Sequence, residues 1–154
     1  MAASLSFALL CILCAVVAWI DFRDGIIPDW LNLAIAGLGV IRVAATDDLS
    51  AVLPAIGEGV IIGGAFWLLR RLYFAYRGFQ GLGLGDVKFL ASAGIWVGLA
   101  GTPIVLLIAT LTALACAGVL QLTGRSLTVQ TSLPFGPFLA AGLVVTVALQ
   151  QYGS

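Results

Sequence analysis

Long apolar runs separated by short polar breaks organise this chain from end to end. The runs fall at 2–20, 30–45, 51–69, 87–100, 103–122 and 136–150. Most approach the ~20 residues that carry an α-helix across a ~30 Å hydrocarbon layer. The breaks are chemically plain. Residues 21–29 carry Asp21, Arg23, Asp24, Pro28 and Asp29, and residues 46–50 carry Asp47 and Asp48. Residues 70–85 collect arginines, aromatics and glycines, 101–103 hold Gly101 and Pro103, and 123–134 end in Pro134. The pattern predicts an all-α membrane protein, a bundle of about six transmembrane helices forming one domain over residues 1–154.

Composition agrees: 62% of the 154 residues are hydrophobic, 9% are charged, and none is histidine. The mean hydropathy is +1.16, far beyond what a water-soluble surface tolerates. Seven basic residues balance seven acidic ones, which leaves no positive field for nucleic acid. Placing the N-terminus outside puts Arg23, Arg70, Arg71, Arg77, Lys88 and Arg125 in inner loops and leaves only Arg42 outside, the asymmetry that sets orientation. Both termini are then expected outside the cytoplasm. The N-terminus Met1-Ala2-Ala3-Ser4 lacks the basic region of a cleavable signal, so the first span is expected to be retained.

Against that background two acidic residues stand out, because ionisable groups at bilayer depth are costly and mark function. Asp21 ends the first apolar run, and Asp86 closes Gly81-Leu82-Gly83-Leu84-Gly85-Asp86. Gly81, Gly83 and Gly85 remove every second side chain before Asp86, letting another backbone come close. The structural alternative for this run is a glycine-rich turn with an aspartate N-cap. Pro28 suits the first turn of the second helix. Asp24 and Asp29 read as members of an ordinary helix-helix turn.

As a pair, Asp21 and Asp86 offer the chemistry of an aspartic protease. An ionised carboxylate takes a proton from water while its protonated partner polarises the scissile carbonyl. Without histidine, neither a Ser-His or Cys-His triad nor a His-ligated zinc site can be assembled. No metal or organic cofactor is expected. Cys11, Cys14 and Cys116 lie inside apolar runs and read as small packing residues.

Three blocks give the chain a family likeness: Asp21 to Leu33 with Ile27-Pro28-Asp29, GLGLGDVKFLASAGIWVG from Gly81 to Gly98, and Leu133-Pro134-Phe135-Gly136-Pro137-Phe138-Leu139. In this order they resemble the type IV prepilin peptidases, GxGD-type aspartic proteases of the bacterial inner membrane. The resemblance implies that Asp21 and Asp86 are the catalytic pair. It also implies cleavage at the cytoplasmic face, after a glycine that precedes the apolar helix of a prepilin or pseudopilin. Longer members are bifunctional and carry a Cys-x-x-Cys insertion near the N-terminus for methylation. Here Asp21 follows a single span, so the likeness is to the short, peptidase-only form, with no methyltransferase or zinc-binding insertion expected. Phe79-Gln80 departs from the charged residues that relatives often carry there.

Other residues have more modest expectations. The Arg70 to Gly85 stretch is expected to be a loop that gates water access, with Tyr73, Tyr76 and Phe79 at the membrane surface. Residues 81–85 are expected to lie against an extended cleavage site, as in strand addition. Lys88, two residues after Asp86 on a helix, points away from it and reads as an interfacial anchor or phospholipid contact. Pro134 and Gly136 belong to a block that shapes entry into the last helix; whether it also lines the active site stays open. Glu58, between Gly57 and Gly59, is expected to form an inter-helix ion pair with Arg42. Presenilin-like proteases share Gly-x-Gly-Asp, but their Pro-Ala-Leu motif is absent. A small transporter or channel, with Asp21, Glu58 and Asp86 as ion or proton sites, is the alternative of a different class.

Overall fold

A computed structural model describes residues 2–78, 82–122 and 134–153. All regular structure among them is helical: α1 Ala2–Asp24, α2 Asp29–Thr46, α3 Leu49–Arg77, α4 Leu84–Leu122 and α5 Gly136–Tyr152. By length and composition α1 to α4 can cross a membrane, and α5 is a shorter apolar helix. Among the described residues the six apolar runs thus fall into five helical elements.

Gly98 accounts for the difference. A straight helix of 39 residues would be about 58 Å long, roughly twice the hydrocarbon thickness. Gly98 interrupts α4 with φ 70° and ψ −177°, a conformation that only glycine adopts without strain. The chain then turns back. Gln150, near the end of α5, reaches the Val97 carbonyl, and Gly142, two turns earlier in α5, packs on Val105 and Ala109. The two parts of α4 therefore run in opposite senses beside α5. The expected gap at residues 101–103 is instead helical, and the turn comes earlier.

Breaking a helix in an apolar setting frees backbone groups that lipid cannot satisfy. Three side chains take them up. Glu58 Oε2 accepts the Leu99 N–H at 2.9 Å, Gln150 Nε2 donates to the Val97 carbonyl at 3.1 Å, and Thr102 Oγ1 donates to the Gly98 carbonyl at 2.8 Å. This corrects the expected Arg42–Glu58 ion pair. Among the described residues the salt bridge is Lys88 to Asp29, while the Arg42 guanidinium lies 5.5 Å from the Trp96 ring centre. Glu58 is occupied by the backbone that Gly98 exposes, and the aromatic face supplies Arg42 with a neighbour.

The first part of α4 is the hub, with Phe89, Leu90, Ala93, Trp96 and Val97 buried. Two hydrogen bonds fasten it to α2, from Ser92 Oγ to the Asn32 carbonyl and from Trp96 Nε1 to the Ile35 carbonyl, both 2.9 Å. On α1 the buried positions are Ser6, Leu10, Cys14, Val17 and Asp21, a spacing of three and four that defines one helix face. Asp21 is the polar end of that stripe. Cys14 packs within the core, and Cys11 and Cys116 are partly buried free thiols.

α3 overruns its expected end by eight residues' worth of arginine and aromatic sequence. Tyr73 and Tyr76, expected in a gating loop, are exposed on helix, and Arg71 stacks one turn away on Trp67. Gly78, at φ 73°, stops the helix with its N–H on the Phe74 carbonyl, an αL cap. Phe79, Gln80 and Gly81 lie outside the described residues.

Glu58→Leu is expected to destabilise the protein by about 1–3 kcal/mol, because it orphans a backbone donor. Glu58→Gln keeps an acceptor and is expected to stay close to the parent. Thermal unfolding of the detergent-solubilised variants checks this; equal losses in both would mean that the charge, not the acceptor, matters.

Candidate active site

Residues from three separated parts of the chain meet around one open cavity of about 870 Å³, lined by residues 21–27, Asp29, residues 82–86, Lys88, Pro134 and Phe135. Both sequence-selected aspartates are in it. Asp21 is 6% exposed, and Asp86 is half-buried.

α1 continues past residue 20 to Asp24, so Asp21 sits in its last turn rather than in a loop. Gly25, at φ 68°, ends the helix and donates its N–H to the Asp21 carbonyl at 2.9 Å. Helical periodicity then sends Asp21 to the buried face while Asp24 is exposed. The Asp21 carboxylate accepts the N–H of Gly136 at 2.8 Å, 115 residues away in sequence. Gly136 is the first residue of α5, with a proline next to it. Its N–H is one of the orphan donors of a helix start, and the α5 dipole favours negative charge there. A side chain at 136 would place its Cβ 2.5 Å from Asp21 Oδ2, so only glycine lets α5 approach this closely.

Asp86 lies in the first turn of its own helix. α4 begins at Leu84, and its first ladder bond runs from Val87 N–H to the Gly83 carbonyl at 3.3 Å. Gly83 is thus the N-cap and Asp86 the third helical residue, not the cap itself. The Asp86 carboxylate folds back toward Gly83, in the direction of a capping box. A Cβ at Gly83 would lie 3.0 Å from Asp86 Oδ2, and one at Gly85 would lie 3.2 Å from the Ile27 Cβ. Two glycines of the run therefore bring α4 close to both its own aspartate and the α1–α2 turn.

The remaining candidates divide clearly. Pro134 lines the cavity and Gly136 binds Asp21, so this block meets the same space as the two aspartates. Pro28 is the N-cap of α2, one position before the expected first turn, and its carbonyl accepts the Leu31 N–H. Lys88 is not a free anchor: it lines the cavity and pairs with Asp29 at 2.7 Å. Both partners are well exposed, so the pair is worth at most about 1 kcal/mol. Gly81 lies outside the described residues. Arg70, which sequence reasoning passed over, donates from Nε to the Leu82 carbonyl at 3.0 Å; only the proximity of the α3 end to the glycine run hinted at it.

The arrangement offers two carboxylates at helix starts, one of them fixed by the Gly136 N–H, in a space large enough for water and a stretch of polypeptide. Among the described residues no group of three or more acidic or cysteine side chains could hold a metal ion.

Residues 8–118 match the type IV leader peptidase family. The chain is 39% identical over 149 residues to a "Prepilin leader peptidase/N-methyltransferase" of Burkholderia pseudomallei (strain 1026b), covering 95% of this chain and 46% of that protein. Proteins of the same name from Escherichia coli (strain K12) and Xanthomonas campestris pv. campestris are 37% and 36% identical, covering 83% and 90% of this chain and 56% and 49% of theirs. The chain thus spans about half the length of these relatives. No solved structure matches.

Gly136→Ala is expected to cost about 1–3 kcal/mol, as overpacking in a filled interior does. It should also displace the Asp21 carboxyl, read as a changed ¹³C resonance of that group. An unchanged resonance would mean that α5 retreats without disturbing Asp21.

Proposed function

This chain belongs to the type IV leader peptidase family, and from that premise we propose that it is a membrane-embedded aspartic endopeptidase that removes the leader peptide of prepilin or pseudopilin substrates. The observation that carries the reading is the convergence of Asp21 and Asp86 on one open cavity. In the proposed mechanism one carboxylate is ionised and draws a proton from a water between them. The other is protonated, polarises the scissile carbonyl, and later returns a proton to the leaving amine. The Gly136 N–H holds the Asp21 carboxylate in place during the exchange. No cofactor takes part.

The proposed topology has six crossings, the fourth and fifth being the two parts of α4 on either side of Gly98. Both termini lie outside, and the cavity opens to the cytoplasm of a bacterial inner membrane. The concentration of six of the seven basic residues on that side supports it. The substrate's apolar helix lies in the bilayer beside the spans, and its extended cleavage site enters the cavity along the glycine run. A transporter reading would need Asp21, Glu58 and Asp86 along one path. Glu58 instead caps backbone at Gly98, at the end of the first part of α4 remote from Asp86.

Asp21→Asn and Asp86→Asn are each expected to abolish cleavage while the protein still accumulates in the membrane, because an amide keeps the shape but cannot pass the proton. Asp24→Asn and Asp29→Asn should retain substantial activity. The measurement is mass spectrometry of a purified prepilin incubated with each variant; robust cleavage by either dyad variant would end the aspartyl-protease reading.

Residues 1–154 are further proposed to act as a single peptidase domain. Product made with these residues plus S-adenosylmethionine is expected to carry a free N-terminal amine, and activity to survive chelators. A methylated product would show a second activity in the same residues.

A further inference from the structure

The Arg70 contact bears on the chemistry because of which peptide it touches. Arg70 Nε donates to the carbonyl of Leu82 at 3.0 Å. The N–H of that same peptide unit belongs to Gly83, and the Asp86 carboxylate packs directly on that residue, its Oδ2 3.0 Å from where a Cβ at 83 would stand. A trans peptide is planar, and its C=O and N–H point in opposite directions. Fixing the carbonyl therefore fixes the direction of the N–H. A charged donor on the carbonyl also polarises the peptide, and chains of hydrogen bonds strengthen one another in a low-dielectric setting.

We propose that Arg70 is a positioning residue for Asp86, acting across the single peptide unit that joins Leu82 to Gly83. α3 supplies the rigid mount. Arg70 stands within a continuous helix, ahead of the Gly78 cap, whereas Leu82 and Gly83 precede the first turn of α4 and are not helical. With glycine at 83, the peptide has little intrinsic preference for one orientation. An external clamp is what selects the orientation that serves Asp86. The role rests on the reading of Asp86 as half of the catalytic pair.

Three substitutions separate this role from a bulk electrostatic one. Arg70→Gln places its amide nitrogen at the same number of bonds from Cα as the arginine Nε, so it keeps the donor and loses the charge. Arg70→Met keeps the length and loses both. Arg70→Lys keeps the charge but has a methylene where Nε stood. Arg70→Met is expected to lower kcat by about tenfold or more with little change in KM, since a misplaced catalytic group costs turnover rather than binding. Arg70→Gln should recover most of that loss, and Arg70→Lys should resemble Arg70→Met. If Arg70→Lys matches the parent and Arg70→Gln matches Arg70→Met, Arg70 acts through its charge at the membrane surface and the proposal is overturned. Full activity in Arg70→Met overturns it as well.

A second readout needs no substrate. In protein labelled at aspartate carboxyls, with the Asp86 signal assigned through Asp86→Asn, Arg70→Met should shift the ¹³C resonance of Asp86 and Arg70→Gln should restore it. An unshifted resonance in Arg70→Met overturns the proposal. Absence of prepilin cleavage by the parent protein would count against the proposed function alone. Should Arg70→Met fail to accumulate, the contrast between Arg70→Gln and Arg70→Lys decides the matter.

Discussion

The hydrogen bond from Gly136 to Asp21 joins the last helix to the first, and much of the architecture follows from making it possible. For the start of α5 to reach the end of α1, the preceding chain must return to the cavity end of the bundle. It does so by reversing at Gly98. That reversal exposes backbone groups in an apolar layer, where they cost several kcal/mol each if left alone. Glu58, Gln150 and Thr102 absorb the cost. A carboxylate at one end of the molecule and a capped break at the other are thus parts of a single requirement.

Both aspartates lie at helix starts, but of different origin. Asp86 stands in the first turn of its own helix and packs on Gly83, so its position depends on the local path of residues 82–86. Asp21 is served by a foreign helix and depends on how α1 and α5 pack. Backbone donors suit this task in a membrane. They bring no charge of their own, they cannot be titrated away, and their directions are set by helices that apolar packing holds rigid. Charged groups at the rim, such as the Lys88 and Asp29 pair, stay partly in water, where an ion pair contributes little.

Much of this was legible in the sequence for reasons of periodicity and cost. Apolar runs marked the helices because lipid admits few alternatives, and Asp21 and Asp86 stood out because charge at the edge of such runs is rare. Contacts between distant segments were not legible. Nothing local to Glu58 reveals that a glycine forty residues on will break a helix beside it, and Arg42 was the obvious but wrong partner. The end of α3 was misread because arginine and aromatic residues mark an interface equally well on a helix or in a loop. Gly136 read as part of a block shaping entry into the last helix; its steric role appears only when Asp21 is placed against it.

The contrast between α3 and α4 shows why the glycine run can be a working part and not a structural weakness. α4 is buried along its first part and cannot move without disturbing the core. α3 buries only Gly59 and Ile62 among its described positions, yet it is one continuous helix and ends in a defined cap. A loosely buried helix makes a poor core element but a serviceable strut. It can carry Arg70 to the carbonyl of Leu82 without adding packing that would close the cavity. The glycines give the approach to Asp86 its freedom, and the strut removes that freedom at one peptide.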